Sequence, residues 1–203
     1  FDIAIIGGGP AGIMAAIAAS ADLNVVLLEK NSSLGSKLLI TGGGRCNITN
    51  EKPIKKLLNS FHDKNFLKHS FYTFTNEMLL DLFRNRGLDF IVEDNNRVFP
   101  ETEKSQDILA ILKYYLKDIT IKYNYEVSDI KKEDNFIINN DIIAEKVIIA
   151  TGGATFPKTG STGDGYYLTG NPITDIKYGL VPLITKKDLS DIAGITLYDV
   201  VIK

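Results

Sequence analysis

The 203-residue sequence contains a single cysteine, Cys46, and no tryptophan. One cysteine excludes an intrachain disulfide and a Cys-x-x-Cys redox pair, and it fits a reducing compartment, so we predict a cytoplasmic protein. Long apolar runs are also missing. The apolar stretch near the start is broken at Gly7–Pro10, and none approaches the roughly 20 residues of a membrane-spanning helix. We therefore expect neither a signal peptide nor a membrane anchor.

Charge of one sign is not in excess, since 23 lysines and arginines face 25 aspartates and glutamates. No basic cluster is dense enough to predict a phosphate-backbone footprint, and we expect no nucleic-acid partner. His62 and His69 are the only histidines. No further histidine, cysteine or carboxylate pattern completes a metal site with them, so no metal is predicted.

The first 30 residues have the pattern of a nucleotide-binding unit. Asp2–Ile6 reads as a short apolar strand, Ala11–Ala21 as an alanine-rich helix, and Val25–Leu28 as a second buried strand. A strand, a tight turn, a helix and a strand within about 30 residues form the right-handed parallel unit of an α/β, Rossmann-like sheet.

The turn of this unit reads Gly-Gly-Gly-Pro-Ala-Gly and satisfies G-x-G-x-x-G between a strand and a helix. Gly7 permits the tight turn, Gly9 lets a pyrophosphate approach the backbone, and Gly12 lets the helix lie close to the strand. Pro10 and Ala11 open that helix, whose free N–H groups and positive dipole end bind phosphate. The alternative is an ordinary glycine-rich turn.

Glu29 closes the second strand 17 residues after Gly12, where a carboxylate accepts hydrogen bonds from the adenosine ribose hydroxyls. It also disfavours a 2′-phosphate, and we include its neighbour Lys30 among the predicted binding residues. This fingerprint does not distinguish NAD from FAD.

The loop from 31 to 50 is rich in Gly, Ser, Thr and Asn, and is too long for a simple connection. It offers small residues, a fixed positive charge and polar groups to a flavin or its ribityl chain; the alternative is a mobile surface loop. Cys46 is interpreted as a small buried residue beside the cofactor, because no neighbouring base activates it. The predicted binding residues of this loop are Lys37, Gly43, Gly44, Arg45, Cys46 and Asn47.

A second glycine-rich region also favours FAD. The apolar run Val147–Ala150 leads into Thr151 and Gly152, as a buried parallel strand returning to the nucleotide would. Further on, Asp164 is flanked by glycines, and it either reaches a ligand hydroxyl or caps a turn.

The remaining segments predict the domain organisation. Residues from about 53 to 117 read as a helical subdomain and those from about 119 to 145 as an antiparallel β-meander with a first strand over 126–130, both within an FAD-binding domain that spans 1–185. Residues 186–203 read as the beginning of a substrate domain that the sequence does not complete, with its opening strand over 192–203.

Nearly the whole chain resembles the HI0933-like family of NAD(P)/FAD-dependent oxidoreductases, also called BaiN-like or aminoacetone-oxidase-like. The Gly-Gly-Gly-Arg-Cys-Asn loop is the most specific signal. The segments that carry the resemblance are Gly7–Gly12 with Glu29 and Lys30, Lys37–Asn50, Arg97–Pro100, Ala150–Tyr166, Leu180–Leu183 and Ala193–Ile195.

The resemblance implies bound FAD, with Val127 and Gly152 near its adenine side. It also implies hydride transfer between the flavin and either a small organic substrate or NAD(P)H, since the flavin itself carries that chemistry. No catalytic side chain and no oligomeric state is predicted. Two alternatives remain open: a non-catalytic dinucleotide-binding protein and a flavin-linked RNA-modifying protein, which the near-neutral charge disfavours.

Overall fold

The computed structural model describes residues 1–177. In chain order, the strands are β1 (Ile3–Ile6), β2 (Val25–Leu28), β3 (Thr49–Asn50), β4 (Phe90–Glu93), β5 (Arg97–Pro100), β6 (Thr120–Lys122), β7 (Ile130–Lys132), β8 (Phe136–Ile138), β9 (Ile142–Ala144) and β10 (Lys146–Ile149). The α-helices are α1 (Pro10–Ala19), α2 (Ile54–Leu58), α3 (Lys64–Thr73), α4 (Asn76–Arg84), α5 (Ser105–Tyr115) and α6 (Asp164–Leu168).

The centre of the fold is a parallel four-stranded sheet in the order β10-β1-β2-β6. Helix α1 connects β1 to its neighbour β2, and β10 returns from the far end of the chain to pair with the other edge of β1. This arrangement confirms the predicted Rossmann-like α/β fold. It also brings the carboxyl ends of β1, β2 and β10 to one edge, where such sheets bind ligands.

The two faces of the central sheet are buried against different layers. On one face, Ile3, Ile5 and Leu27 pack with residues of α1, α4 and α5. On the other face, the alternate residues Ile6 and Leu28 pack with the meander. Because side chains alternate along a strand, burial on both faces requires the continuous apolar runs that the sequence shows.

Three short antiparallel strands, β7, β8 and β9, form the meander. The meander is confirmed, but its first strand was predicted over 126–130 and instead begins at Ile130. Before that point the chain makes irregular backbone contacts. The Asn139 side chain accepts hydrogen bonds from the N–H groups of Ser128 and Asp129 and holds them out of the ladder.

The segment from 53 to 117 contains four α-helices together with strands β4 and β5, and β5 pairs with both β3 and β4 in a second antiparallel sheet. Neither this sheet nor α3 was predicted. No residue of α3 is buried, and its half-buried Leu67 and Phe71 make only a short apolar stripe among polar residues. Its start is fixed instead by Asp63, whose carboxylate accepts a hydrogen bond from the Phe66 N–H.

Residues 1–171 form one compact unit. The predicted domain boundary at 185, the predicted strand over 192–203 and the matched segments Leu180–Leu183 and Ala193–Ile195 lie outside the described residues. No helix in the described part of the chain is long and apolar enough to cross a membrane.

Candidate nucleotide-binding site

A cavity of about 280 Å³ opens at the edge where β1, β2 and β10 end. Its walls come from the glycine turn after β1, the residues after β2, the segment between β6 and β7, and the loop that follows β10. Four separate segments of the chain therefore line one cavity at the carboxyl edge of the sheet, where parallel α/β sheets bind ligands.

The glycine turn fits tightly between the strands and α1. Gly7 has φ of +108°, and a Cβ there would lie 2.5 Å from the Ala150 carbonyl oxygen. A Cβ on Gly12 would lie only 1.8 Å from the Gly7 carbonyl oxygen, whereas one on Gly9 would meet no atom within 4 Å. Gly7 and Gly12 are thus required by the fold, and the space beside Gly9 is open.

Helix α1 presents free hydrogen-bond donors to the cavity. No side chain caps it, its first turn has no acidic residue, and its first internal bond runs from the Ile13 N–H to the Gly9 carbonyl. Pro10 has no N–H, and the N–H groups of Ala11 and Gly12 have no acceptor among residues 1–177. These donors and the helix dipole give the cavity a site for an anion.

The carboxylate of Glu29 is buried at the end of β2 and already has several partners. One oxygen accepts a 2.6 Å bond from the Gly8 N–H, and the other accepts bonds from the backbone and side-chain amides of Asn31 at 2.8 and 2.7 Å. Glu29 therefore connects the glycine turn to the residues after β2, in addition to facing the cavity.

Lys30 links the end of β2 to the loop after β10. Its Nζ lies 2.7 Å from the Asp164 carboxylate and donates a 2.6 Å bond to the Thr162 hydroxyl. Asp164 also accepts a bond from Thr162, so it is held as an ion-pair partner at the first residue of α6. Both lysine and carboxylate line the cavity, and their contact holds the loop over it.

Asp164 gives this contact a pH dependence. Partial burial alone raises the pKa of Asp164, but the hydrogen bonds from Lys30 and Thr162 outweigh it and hold the pKa below its ordinary value. A carboxyl with a depressed pKa contributes stability that is present above its unfolded pKa, about 3.9, and is lost as the pH falls through the folded value.

An Asp164→Asn chain should therefore be less stable than the parent at pH 7, and the difference should shrink as the pH falls below about 4. Urea unfolding without added nucleotide, followed across this pH range, measures it. Asp118→Asn, at an exposed position outside the cavity, is the control. A difference that stays constant with pH would contradict the role given to this carboxylate.

The segment between β6 and β7 closes the cavity with Tyr125 and Val127. The Tyr125 N–H donates to the Glu29 carbonyl, and its hydroxyl donates a 3.0 Å bond to Asp141, so both ends of the residue are fixed. Burial and the bond to Asp141 raise the pKa of Tyr125. Leu168 of α6 completes this partly apolar wall.

Eleven of the residues predicted from sequence line the cavity: Gly7, Gly9, Pro10, Ala11, Glu29, Lys30, Lys37, Val127, Thr151, Gly152 and Asp164. Lys37 reaches across to donate a 2.7 Å bond to the Thr155 carbonyl. The contributions of Asn31, Tyr125 and Ser161 were not predicted. Tyr125 stands two residues before Val127, and that spacing along an extended segment was the available signal.

Six predicted residues do not line the cavity: Gly12, Gly43, Gly44, Arg45, Cys46 and Asn47. The Arg45 guanidinium contacts Glu93 at 2.6 Å and Glu103 at 2.8 Å and lies 4.2 Å from the centre of the Phe99 ring. In this structure Arg45 therefore joins its loop to β4, β5 and the start of α5. A cofactor role for residues 43–47 stays a prediction.

Cys46 is buried in the core beside α5, with φ of +63°. Burial raises the pKa of its thiol, and a weaker hydrogen bond with Thr41 opposes that shift. A protonated, enclosed thiol is a poor nucleophile, in agreement with its interpretation as a packing residue. Within residues 1–177, no group of three His, Cys, Asp or Glu side chains is placed to hold a metal ion.

The cavity fits the dinucleotide that the resemblance implies. The free N–H groups of α1 and the open space at Gly9 suit a pyrophosphate, and Lys30 and Lys37 add positive charge nearby. Glu29 suits a ribose, and the wall formed by Tyr125, Val127 and Leu168 suits a flat base.

Comparison with known proteins identifies relatives that are longer than this chain. A 3-dehydro-bile acid delta(4,6)-reductase of Clostridium scindens is 33% identical over 197 residues, which are 91% of this chain and 48% of that protein. A ribosomal RNA dihydrouridine synthase of Escherichia coli is 29% identical over 216 residues, covering 99% of this chain and 53% of that protein. The chain thus spans about half the length of these relatives.

Solved structures support the fold. The open conformation of a flavocytochrome c3 fumarate reductase superposes with a TM-score of 0.61 at 19% identity, covering 83% of this chain and 40% of that one. A family model described as the HI0933-like protein Rossmann domain matches residues 1–180. The chain therefore belongs to the HI0933-like family and contains its Rossmann domain.

Proposed function

We propose that this chain is the FAD-binding part of an FAD-dependent oxidoreductase. The observation that carries the proposal is the cavity itself, in which the free N–H groups of α1, the Glu29 carboxylate and the wall at Tyr125 and Val127 face one space. This order of an anion site, a ribose acceptor and an apolar wall matches one half of FAD.

FAD, when bound, supplies the hydride chemistry of the reaction. The residues of this chain bind and orient it. The α1 donors neutralise phosphate charge, Glu29 accepts from a ribose hydroxyl, and the Lys30–Asp164 contact keeps the loop after β10 against the cavity. None of these side chains needs to exchange a proton with the substrate.

The acceptor we propose is a carbon–carbon double bond conjugated to a carbonyl group in a small organic substrate, reduced at the expense of NADH or NADPH. The name of the C. scindens relative describes a reductase of such a compound. The name of the E. coli relative describes the formation of dihydrouridine, and a uridine base in RNA is therefore the second candidate acceptor.

Anaerobic stopped-flow mixing tests the redox part of the proposal. The chain loaded with FAD is mixed with NADH or NADPH, and flavin absorbance is followed before and after an enone is added. Bleaching and then recovery of the oxidised spectrum support an oxidoreductase. Binding of FAD without reduction by either NADH or NADPH would support a non-catalytic dinucleotide-binding protein instead.

Tyr125 allows a test of how the adenine side is bound. Replacing Tyr125 with Ala should weaken binding of ADP and FAD on the order of tenfold, because the wall against the base loses its aromatic ring. Riboflavin binding should not change, since riboflavin has no adenine. Calorimetric titration measures both.

Tyr123→Ala is the matched control, because Tyr123 is exposed, lies two residues away and does not line the cavity. Equal losses in the two variants would mean that the tyrosine ring at 125 does not contact the base.

A further inference from the structure

Positive charge is in local excess in residues 52–74, although the net charge of the whole chain is near neutral. The segment from 52 to 74, which contains α2 and α3, has one carboxylate, at Asp63. Its five basic residues are Lys52, Lys55, Lys56, Lys64 and Lys68. The chain as a whole has a charge of −2, so the rest of the sequence is correspondingly acidic and the positive charge is concentrated in this hairpin.

The lysines of the hairpin are available to a partner. None of them forms a salt bridge with a carboxylate in the described part of the chain. The single carboxylate, Asp63, accepts the hydrogen bond that caps α3. On α3, Lys64, Lys68 and Tyr72 follow one another at intervals of four residues and so share one face of the helix.

Aromatic side chains are exposed among these lysines. Phe66 is 80% exposed and Tyr72 is 54% exposed, and Phe61 and Phe74 at the two ends of α3 are also exposed. Beside them a groove of about 330 Å³ lies between α3 and α4, with Phe71 and Phe74 in its wall. A surface with this much exposed aromatic area is typical of a binding site.

From these observations we infer that the α2–α3 hairpin, residues 52–74, is a surface that binds single-stranded RNA. Lysines contact phosphates, and bases stack on the exposed aromatic rings of the same hairpin. A membrane-binding helix would instead gather its apolar residues on one face. Here Phe66 and Tyr72, six residues apart, point about 120° away from each other around α3, with the polar residues Asn65 and His69 between them.

This surface is separate from the nucleotide cavity, since no residue of 52–74 lines that cavity. RNA binding is therefore independent of FAD binding. The role of this surface rests on the proposed function with its second candidate acceptor, a uridine base in RNA. The expectation that no nucleic acid is bound came from the balanced net charge and from the lack of a dense basic cluster in the sequence. The five lysines are spread along residues 52–68, and helices α2 and α3 bring them onto one hairpin.

Fluorescence anisotropy with a labelled, uridine-rich single-stranded RNA tests the inference. The 203-residue chain should bind it, with a log–log salt slope of roughly −2 to −3.5 between about 50 and about 200 mM NaCl, because each neutralised phosphate on a single strand contributes about −0.7. Lys64→Glu/Lys68→Glu should weaken binding at least about tenfold, and Tyr72→Ala on the order of tenfold.

The matched control is Lys104→Glu/Lys113→Glu, which makes the same charge change at exposed lysines near α5 that form no salt bridge in the described residues. Its affinity for RNA should fall much less. Lys55→Glu/Lys56→Glu repeats the test on α2, and circular dichroism shows that each variant is folded.

Three results would overturn the inference: no RNA binding at the lower salt concentration, equal losses in the hairpin and control variants, or binding to phosphatidylserine vesicles without binding to RNA. FAD binding by the same preparation, read from flavin absorbance, is expected in every case. Failure of the RNA surface is thereby distinguished from failure of the proposed flavin function.

Discussion

A Gly9→Ala chain is expected to fold normally and to bind FAD on the order of 10- to 100-fold more weakly. The backbone at Gly9 is extended, with φ of −78° and ψ of 179°, so alanine fits there without strain. An added methyl would meet no protein atom within 4 Å. It would occupy the space that a pyrophosphate needs beside the N–H groups of α1, and overlap of this kind costs about 1–3 kcal/mol.

Calorimetric titration with FAD and a thermal unfolding curve of the nucleotide-free chain check the two halves of this expectation. The apparent unfolding temperature should lie within a few degrees of the parent value. FAD binding at full affinity by the variant would show that the phosphates lie elsewhere in the cavity.

A Gly12→Ala chain is expected to show the opposite pattern, with a loss of stability of about 3–5 kcal/mol. The new methyl would lie 1.8 Å from the Gly7 carbonyl oxygen. Because this oxygen belongs to the backbone, it cannot move aside by a change of side-chain rotamer. Helix α1 must then move away from β1, and its contacts with the buried sheet are lost together.

Urea unfolding of the nucleotide-free chain measures this loss, with Gly9→Ala as a control that adds the same methyl three residues earlier in the same motif. Weak FAD binding in Gly12→Ala with unchanged unfolding would mean that this glycine contacts the ligand and that the packing argument is wrong. The pair of variants thus separates the two reasons for which one short motif contains glycine.

Strands β1, β2 and β10 of the central sheet were predicted well, because each contains a continuous apolar run in the sequence. The observed β2 has the predicted limits and β1 agrees within one residue, because strands buried on both faces must be continuously apolar. The limits of β10 also agree within one residue, although this edge strand was expected to be buried and is only partly so. The sheet formed by β3, β4 and β5 was missed because its members are short or half exposed: Ile91 and Val92 of β4 both face solvent. Strands β4 and β5 form a local hairpin, but β3 pairs with β5 from almost 50 residues earlier in the chain, and no local pattern contains that pairing.

The same distinction applies to the site. Residues of the glycine turn could be placed because a local motif constrains them. Arg45 was predicted to approach a cofactor from its glycine-rich surroundings, yet its observed partners Glu93 and Glu103 stand 48 and 58 residues further along the chain. The sequence indicates that a partly buried arginine needs an acidic partner. It does not indicate which of the distant carboxylates the fold brings into contact with it.

The bonds to Glu29 limit how a ribose can be held. An ionised carboxylate has about four lone-pair positions, and the Gly8 N–H and the two N–H groups of Asn31 already use three of them. One acceptor position remains, on the oxygen that faces Gly8. Only one of the two ribose hydroxyls can donate to Glu29 while the glycine turn keeps its present form, and the other hydroxyl must find its partner on a different residue.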